Sequence, residues 1–518
     1  MCQIGLTATS AGEEGAKNML SGIKVQTAPV NVGDSTYEES IPEESIDITI
    51  GVFFDGTLNN AKNTKARLAF EKAGNTTWEG RKYKEVKSNN KVDDTGSYDN
   101  DLSNVARMQP AYLDIKSEKE LQTSIYIEGI GTINYGADDE KGKGLGEGPT
   151  GIPGKVEKAC EQAAIKIKDL LDRSEAEKIK ILRIDVFGFS RGAAAARHFI
   201  YKITRKIYGR GHVRTRKLIT AYGKLGEELK ANEVEQPLLL EVRFAGLYET
   251  VASYGIEHVF DTFQLDLDAV RKAKHTFHLV AQDEHRENFV ITNIKSAGSK
   301  GVEKYIPGVH SDIGGGYTSN CDENHLVIRK GTTSMDEKRT QWIYKKASTM
   351  RDQLIKDSWY TPDEIYINKG KLTVGKNRPG GKNHALVIKR TVSSNRYSFI
   401  PLHIMVEYAN TKIKSFNEGP LERKYHINED ASVNLPNNTN YTVNLKAIKA
   451  RLDQHIYKNA APMRFDNPKD EKILRAIRQN YIHTSAHYSH EIKISGVWYP
   501  PHNPRDSYLT REREENDG

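Results

Sequence analysis

The residues best suited to chemistry are a serine, a glutamate and a histidine that occur in this order along the chain. Ser190 lies in the pentapeptide GFSRG, residues 188–192, which directly follows the apolar run 181–187. A buried strand, a sharp turn and a small-residue helix are what a serine nucleophile elbow requires. Gly188 and Gly192 supply the small residues that such a turn needs. We therefore predict that Ser190 is a nucleophile at the end of a central strand.

Glu249 and His310 are the predicted partners of this serine. A serine hydroxyl becomes a good nucleophile when a histidine takes its proton and a carboxylate fixes the histidine tautomer. Glu249 follows the apolar run 238–248, and His310 follows the run 302–306 and a short Pro-Gly-Val turn. In α/β-hydrolases the order is serine, acid, histidine, with each residue on a loop after a strand. The sequence thus predicts a Ser-Glu-His triad.

Two further residues compete for roles near this triad. His483, in the segment YIHTSAHYSH, is an alternative base, and Asp312 is a second carboxylate close to His310 in sequence. A structural role in the glycine-rich turn suits Asp312 better. His483, His487 and His490 could also face one side of a helix as metal ligands, but no carboxylate or cysteine is positioned to complete the site. We therefore predict neither a metal nor an organic cofactor.

An oxyanion hole would need backbone N–H groups directed at the charge that develops on the substrate. One candidate is the amide of Arg191, directly after the serine. The other comes from the loop Asp55-Gly56-Thr57, which follows the predicted first strand, 46–54. We expect this loop and the elbow to meet at one edge of the sheet.

Two rival motifs are weaker. The segment FFDGTLNN is similar to the Asp-x-Asp-Gly-Thr signature of haloacid-dehalogenase-type phosphatases, but Phe53 stands where their nucleophilic aspartate belongs. Residues 146–151 match Gly-x-Gly-x-x-Gly, yet Pro149 lies inside the match and no strand leads directly into it. Neither phosphatase chemistry nor dinucleotide binding is predicted.

The elements that must position the triad are strands that alternate with helices. This alternation predicts an α/β fold of the α/β-hydrolase type, with a mainly parallel sheet and helices on both faces. We divide the chain into a polar leader, a catalytic domain, a cap or membrane-contacting module, and a C-terminal segment that returns to the catalytic domain with a charged tail. These regions are 1–45, 46–320, 321–470 and 471–518. The predicted strands are 46–54, 124–128, 180–187, 238–248, 275–282 and 302–306. Between them we predict a surface excursion over the charged residues 60–100, a glycine-rich loop over 136–154 and a helix from about 156 to 171.

Charge, apolar runs and cysteine content argue against several classes of protein. The 518 residues carry 76 basic and 69 acidic side chains, a net charge of +7, so a nucleic-acid partner is not indicated. No apolar run reaches the length of a membrane span, and the N-terminus lacks the basic start and apolar core of a Sec signal peptide. Three widely spaced cysteines fit synthesis in the cytoplasm. A protein that acts outside its cell would then leave by a route without a cleaved signal.

Five segments together resemble a known family. FFDGTLNN, SNVARM, GFSRGAAAAR, FAGLYETVASYG and IPGVHSDIGGGY are similar to the catalytic domain of type VI secretion lipase effectors of the Tle1 class, the DUF2235 family. The resemblance covers about residues 46–320. It implies that Ser190, Glu249 and His310 form the triad of a phospholipase A. One departure is Glu249, because the family commonly has aspartate there.

The resemblance also implies a biological setting. Members of the family are antibacterial toxins that are delivered into the periplasm or membrane of competing bacteria, where they hydrolyse phospholipids. An immunity protein and a type VI spike or adaptor protein are the implied partners. Two other hypotheses stay open from the residues alone: a soluble carboxylesterase on small esters, and an interaction module whose elbow is vestigial.

Overall fold

The computed structural model describes most of the chain after the predicted leader. Residues 1–44 lie outside the described residues, and so does much of the predicted charged tail. The described ranges are 45–90, 95–209, 217–253, 261–334, 337–370, 381–435, 440–488, 492–494, 497–499, 502–505 and 515–518.

The centre of the fold is a seven-stranded sheet whose strand order is β10-β8-β7-β4-β1-β3-β2. All neighbouring strands are parallel except β2, which runs antiparallel to β3 at the edge. The prediction of a mainly parallel α/β sheet is confirmed. The strands are β1 Ser45–Phe54, β2 Ile115–Lys116, β3 Glu120–Ile127, β4 Lys178–Phe189, β7 Leu239–Tyr248, β8 His275–Ala281 and β10 Gly301–Ile306.

The remaining strands form small sheets around this one. They are β5 Ile207–Tyr208, β6 Leu218–Thr220, β9 Ile291–Thr292, β11 Cys321–Asp322, β12 Leu326–Ser334, β13 Ile365–Gly370, β14 Gly381–Ile388, β15 Thr391–Val392, β16 Asp430–Asn434, β17 Asn440–Asn444, β18 Ile492–Ile494, β19 Val497–Tyr499 and β20 Glu515–Asn516.

Helices connect and cover the strands. The α-helices are α1 Ala61–Ala73, α2 Trp78–Asn89, α3 Gly96–Asp99, α4 Asn104–Met108, α5 Glu140–Leu145, α6 Ile152–Leu171, α7 Arg191–Thr204, α8 Gly223–Ala231, α9 Asp261–Gln264, α10 His310–Gly314, α11 Glu337–Lys356, α12 Phe399–Asn410, α13 Glu418–Lys424, α14 Leu445–Tyr457 and α15 Pro468–Asn480. Short 3-10 helices occur at Gly74–Thr76, Gln109–Ala111, Leu267–Lys272, Lys295–Lys300 and Arg396–Ser398.

The two faces of the sheet differ in composition because side chains alternate along each strand. On one face, aliphatic residues of β1, β4 and β7 pack against α6, α7 and α8. On the other face, aromatic residues of the same strands pack against α4 and α12. Two of these residues, Phe53 and Phe187, stack with ring centroids 4.8 Å apart. Burial on both faces explains the near-continuous apolar runs of these strands.

The structure contains helices in two connecting segments for which the sequence predicted none. Residues 60–100, expected to be a surface excursion, contain α1, α2 and α3. The glycine-rich segment 136–154 contains α5, and the next helix begins at Ile152 rather than near 156. Part of the region 321–470 packs directly on the aromatic face of the sheet through α12. The division of the chain at residue 320 therefore does not coincide with a gap in the hydrophobic core.

Candidate active site

Ser190 lies at the sharp turn between β4 and α7. Its backbone has φ 59° and ψ −130°, a combination that a serine adopts only where the surroundings enforce it. A Cβ on Gly188 would lie 2.5 Å from the carbonyl oxygen of Gly192, and a Cβ on Gly192 would lie 2.2 Å from that of Asp55. The elbow therefore needs both glycines. The serine itself is 5% exposed.

Glu249 and His310 are joined by a buried hydrogen bond. His310 Nδ1 lies 3.0 Å from Glu249 Oε2, and both side chains are buried. Glu249 Oε1 accepts from the Ala281 N–H at 2.5 Å. Since a carboxylate can only accept, the proton of the neutral ring lies on Nδ1, and Nε2 keeps its lone pair. This is the tautomer that a general base requires.

The backbone brings these residues to one edge of the sheet. Ser190, Glu249 and His310 follow β4, β7 and β10, and the carboxyl ends of parallel strands meet at the same edge. The Ser190 N–H donates to the carbonyl of Tyr248 at 3.0 Å. The ring of Phe189 lies 4.8 Å from the ring of His310. The residues adjoining the serine thus contact the loops of both partners.

The charge state of His310 suits a base. Burial lowers the pKa of His310 below its ordinary value, and the charge of Arg286 adds to this effect. The hydrogen bond and charge of Glu249 oppose it. The net lowering keeps the imidazole neutral, and able to accept a proton, at neutral pH.

The predicted oxyanion loop lies beside the elbow. The amide of Arg191 is at the first position of α7, where a backbone N–H has no acceptor within the helix. The Gly56 N–H instead donates to its neighbour Asp55 Oδ1 at 2.7 Å. In this arrangement Arg191 presents the better placed donor, and Gly56 would have to leave Asp55 to serve as the second.

Asp55 is fully buried at the end of β1. Burial raises its pKa to about 6, although contacts with Ser103, Tyr126 and Gly56 oppose the rise. The Tyr126 hydroxyl donates to Asp55 Oδ2 at 2.5 Å. These contacts fix the start of the oxyanion loop.

The side chain of Arg191 ties this loop to the elbow. Its Nε donates to Thr57 Oγ1 at 2.8 Å, and its terminal nitrogens donate to the carbonyls of Lys143 and Gly144. The guanidinium is buried, and burial lowers its pKa to about 10. Arg191 thus holds Thr57 and the glycine-rich segment next to Ser190.

Asp312 and His483 form a second buried pair. His483 Nδ1 lies 2.7 Å from Asp312 Oδ1, and the backbone N–H groups of His483 and Val309 both donate to Asp312 Oδ2. The His483 ring stacks on Tyr317, with centroids 3.9 Å apart. The competing base predicted from sequence is therefore engaged with the carboxylate next to the His310 loop. His487 is also buried, and its ring stacks on that of His502, whereas His490 lies outside the described residues.

Sequence reasoning missed the carboxylates that follow β8. Glu284 Oε2 accepts from the His310 N–H at 3.2 Å, and Asp283 Oδ2 accepts from the Gly308 N–H at 2.8 Å. Both therefore support the backbone of the His310 loop, whereas Glu249 contacts its ring. Their position directly after an apolar run was the one signal that could have identified them.

Other kinds of site receive no support within the described ranges. Those ranges contain no cluster of three or more histidine, cysteine, aspartate or glutamate residues arranged to hold a metal ion. They also contain no helix long and apolar enough to cross a membrane.

A mainly parallel sheet, with a strained serine after a central strand and a histidine–carboxylate pair at the same edge, defines a protein of the α/β-hydrolase class. The model of the type VI secretion family "phospholipase effector Tle1-like, catalytic domain" matches residues 49–346. This is more than half of the chain, and the chain belongs to this family. The family resemblance noted in the sequence is thereby confirmed.

One solved structure shares this fold. A Tle1 effector bound to the VgrG spike of the type VI secretion system is 21% identical with a TM-score of 0.58, and the match covers 92% of this chain and 94% of that one. A protein from Pseudomonas aeruginosa described as uncharacterized is 20% identical over 53% of this chain and 42% of its own, with a TM-score of only 0.30. No curated protein gave a significant match.

Proposed function

We propose that this protein is a serine phospholipase A that acts as an antibacterial type VI secretion effector. Ser190 is the nucleophile, His310 the general base and acid, and Glu249 the residue that orients His310. The observation that carries the proposal is the serine at a strained elbow beside a buried, correctly polarised glutamate–histidine pair.

The reaction follows from these roles. The Ser190 oxygen attacks the carbonyl carbon of an acyl ester while its proton passes to His310 Nε2. The Arg191 amide donates to the oxyanion, and His310 then gives the proton to the departing alcohol oxygen of the lysophospholipid. Water activated by His310 cleaves the acyl-enzyme and restores the serine. Each step is a proton transfer or an acyl transfer between groups of the protein, the lipid and water.

The decisive experiment compares Ser190→Ala with Ser415→Ala on phospholipid vesicles. Ser415 is a buried serine bonded to Arg243 and controls for loss of a buried hydroxyl. We expect Ser190→Ala to lose on the order of 10⁴-fold or more in kcat, while Ser415→Ala stays within about ten-fold of wild type. Full hydrolysis by Ser190→Ala would overturn the triad.

The region 321–470 offers a surface suited to a lipid interface. Trp342 and Tyr344 on α11 and Tyr366 on β13 are 55%, 37% and 37% exposed. Lys346 lies 4.2 Å from the Trp342 ring and Lys369 lies 4.4 Å from the Tyr344 ring. Aromatic rings beside lysines favour the headgroup region of an anionic membrane.

Contact with lipid through this surface is testable separately from chemistry. Trp342→Ala should weaken binding to anionic vesicles and slow vesicle hydrolysis, while hydrolysis of monomeric short-chain esters is unchanged. Equal loss on both substrates would argue against a membrane-contacting role. A vesicle rate no higher than the monomer rate in wild type would favour a carboxylesterase on small esters.

Delivery by a type VI spike and protection by an immunity protein complete the proposal. The solved Tle1 effector was bound to a VgrG spike, which supports a similar partner here. Co-purification with the spike protein of the same strain tests this. Expression in the periplasm should be toxic, and co-expression of the adjacent immunity gene should remove the toxicity. Survival without that gene would count against an antibacterial role.

A further inference from the structure

A third histidine–carboxylate pair, His278 and Glu303, lies next to the loop that carries Glu249. The backbone N–H of Thr250 donates to His278 Nε2 at 3.0 Å, and His278 Nδ1 lies 2.8 Å from Glu303 Oε2. His278 is on β8 and is fully buried, and Glu303 is on β10. The pair therefore connects two neighbouring strands to the residue that directly follows the proposed triad acid.

We propose that His278 is a positioning residue for Glu249, and that Glu303 fixes the tautomer of His278 that this role requires. The inference rests on the proposed function, because it assigns a role in the same site.

The need for such a residue follows from the backbone at Glu249. Its φ is 50°, in the left-handed region that a glutamate rarely adopts. The register between β7 and β8 ends at Tyr248, so the chain leaves the ladder at this turn. The Thr250 N–H is buried there and donates its hydrogen bond to a side chain instead of to a neighbouring strand. An orphaned buried N–H costs free energy, so this bond stabilises the turn.

The tautomer of His278 follows from its two partners. To accept from the Thr250 N–H, Nε2 must carry a lone pair, so the ring proton lies on Nδ1 and is donated to Glu303. Burial opposes ionisation of Glu303, but the hydrogen bonds from His278 and the Ile294 N–H, with the charge of Arg197, lower its pKa. The carboxylate therefore stays charged and holds the ring in one orientation.

The turn is also joined to the nucleophile. The Ser190 N–H donates to the Tyr248 carbonyl at 3.0 Å, and the Val251 N–H donates to the Ser190 carbonyl at 3.4 Å. On the opposite side the Glu249 N–H donates to the Leu279 carbonyl at 2.9 Å. Among these hydrogen bonds around the turn, the one from Thr250 to His278 involves a side chain, whereas the others join backbone groups. A displaced Thr250 would move Glu249 away from His310.

The test uses His278→Leu with His403→Leu as the matched control. His403 on α12 is also buried, and its Nε2 lies 2.7 Å from the Tyr425 carbonyl, away from the triad. We expect His278→Leu to lower kcat on the order of ten-fold with KM within about two-fold. We also expect the acid limb of the kcat/KM profile to move to lower pH, because the bond to Glu249 raises the pKa of His310.

The pH profile separates positioning from general destabilisation. The groups that face His310 are Glu249, Glu284 and Arg286, and none of them changes in these variants. His403→Leu should lose stability without moving the acid limb. An unchanged kcat and acid limb in His278→Leu, or an equal shift in His403→Leu, would overturn the proposal.

A second pair of variants covers the case in which His278→Leu does not fold. Glu303→Gln keeps an acceptor for the ring N–H and should retain most of kcat, whereas Glu303→Leu should lower kcat and shift the acid limb as His278→Leu does. Equal activity of the two Glu303 variants would refute the assignment. Ser190→Ala keeps the two proposals distinguishable: if it remains active, the proposed function fails, and if it is inactive while these variants behave as wild type, only the positioning role fails.

Discussion

The loops around α10 hold two histidine–carboxylate pairs that look alike and differ in charge. Glu249–His310 and Asp312–His483 are both buried, with contacts of 3.0 and 2.7 Å. Burial lowers the pKa of both histidines, but at His483 the charges of Asp312 and Glu323 outweigh burial and raise the pKa to about 9. At His310 the net shift is downward.

This difference in pKa distinguishes a histidine that can act as a base from a histidine that is held in an ion pair. A histidine with a lowered pKa is neutral near pH 7 and can accept a proton, whereas His483 is already protonated. Side-chain packing is a second difference, because the ring of Phe189, the residue before Ser190, packs on the ring of His310. Residue types and a short hydrogen bond are therefore insufficient to identify a catalytic pair. The neighbouring charges and the positions at the strand ends favour Glu249–His310 as the proposed catalytic pair.

The largest expected contrast is between His310→Asn and His483→Asn. We expect His310→Asn to lose on the order of 10⁴-fold in kcat on phospholipid, because in the proposed reaction His310 takes the proton of Ser190 and asparagine cannot. His483→Asn should stay within about ten-fold and lower the melting temperature instead. Steady-state rates with thermal unfolding measure both. A folded His483→Asn protein as inactive as His310→Asn would break the comparison.

The carboxylates should show the same contrast on a smaller scale. Glu249→Gln should lower kcat by roughly 10³-fold, because an amide no longer stabilises the imidazolium that forms during the reaction. Asp312→Asn should mainly lower stability, because it leaves a buried charge on His483 without its partner. Similar kcat losses in two equally folded variants would assign both carboxylates to the same role.

A finer test shortens the proposed triad acid. Glu249→Asp removes one methylene, so the carboxylate can no longer reach both His310 and the Ala281 N–H. We expect a fall in kcat on the order of ten-fold with little change in KM. The parallel change at the other pair, Asp312→Glu, should leave kcat close to wild type. An active Glu249→Asp protein would show that the loop adapts to either acid.

The smallest expected effect is the pH dependence of stability that the Asp312–His483 pair causes. His483 titrates near pH 9 when folded and near 6.5 when unfolded, so its stabilisation is complete below about pH 6.5 and is lost as the pH rises through about 9. The melting temperature should fall by a few degrees over this interval. In His483→Asn this dependence should be flatter. An equally steep fall in that variant would assign the effect to other groups.

The sequence predicted the fold and the elbow because both depend on local pattern. The apolar run of β4 and the small residues of GFSRG lie within a dozen positions of Ser190. The fold class followed from strands that alternate with helices, and the family followed from five segments that resemble it. The three helices within residues 60–100 were not predicted because they carry few apolar residues.

The supporting network could not be predicted in this way. His278 and Thr250 are 28 residues apart, His278 and Glu303 are 25 apart, and Asp312 and His483 are 171 apart. Such pairs have no local signature, since they form only when strand ends are brought together. Their charge states depend further on burial, which a sequence does not state.

The contact between Asp312 and His483 has a consequence for synthesis. About 290 residues separate Ser190 from His483, and translation at 5–20 residues per second takes about 15–60 s to cover them. For most of that time β4 has been synthesised, but α12, which covers the sheet, and His483, which holds α10 through Asp312, have not. The candidate site is therefore completed late in synthesis. A chain that ends before His483 would carry Ser190 but lack the contact that holds α10 through Asp312.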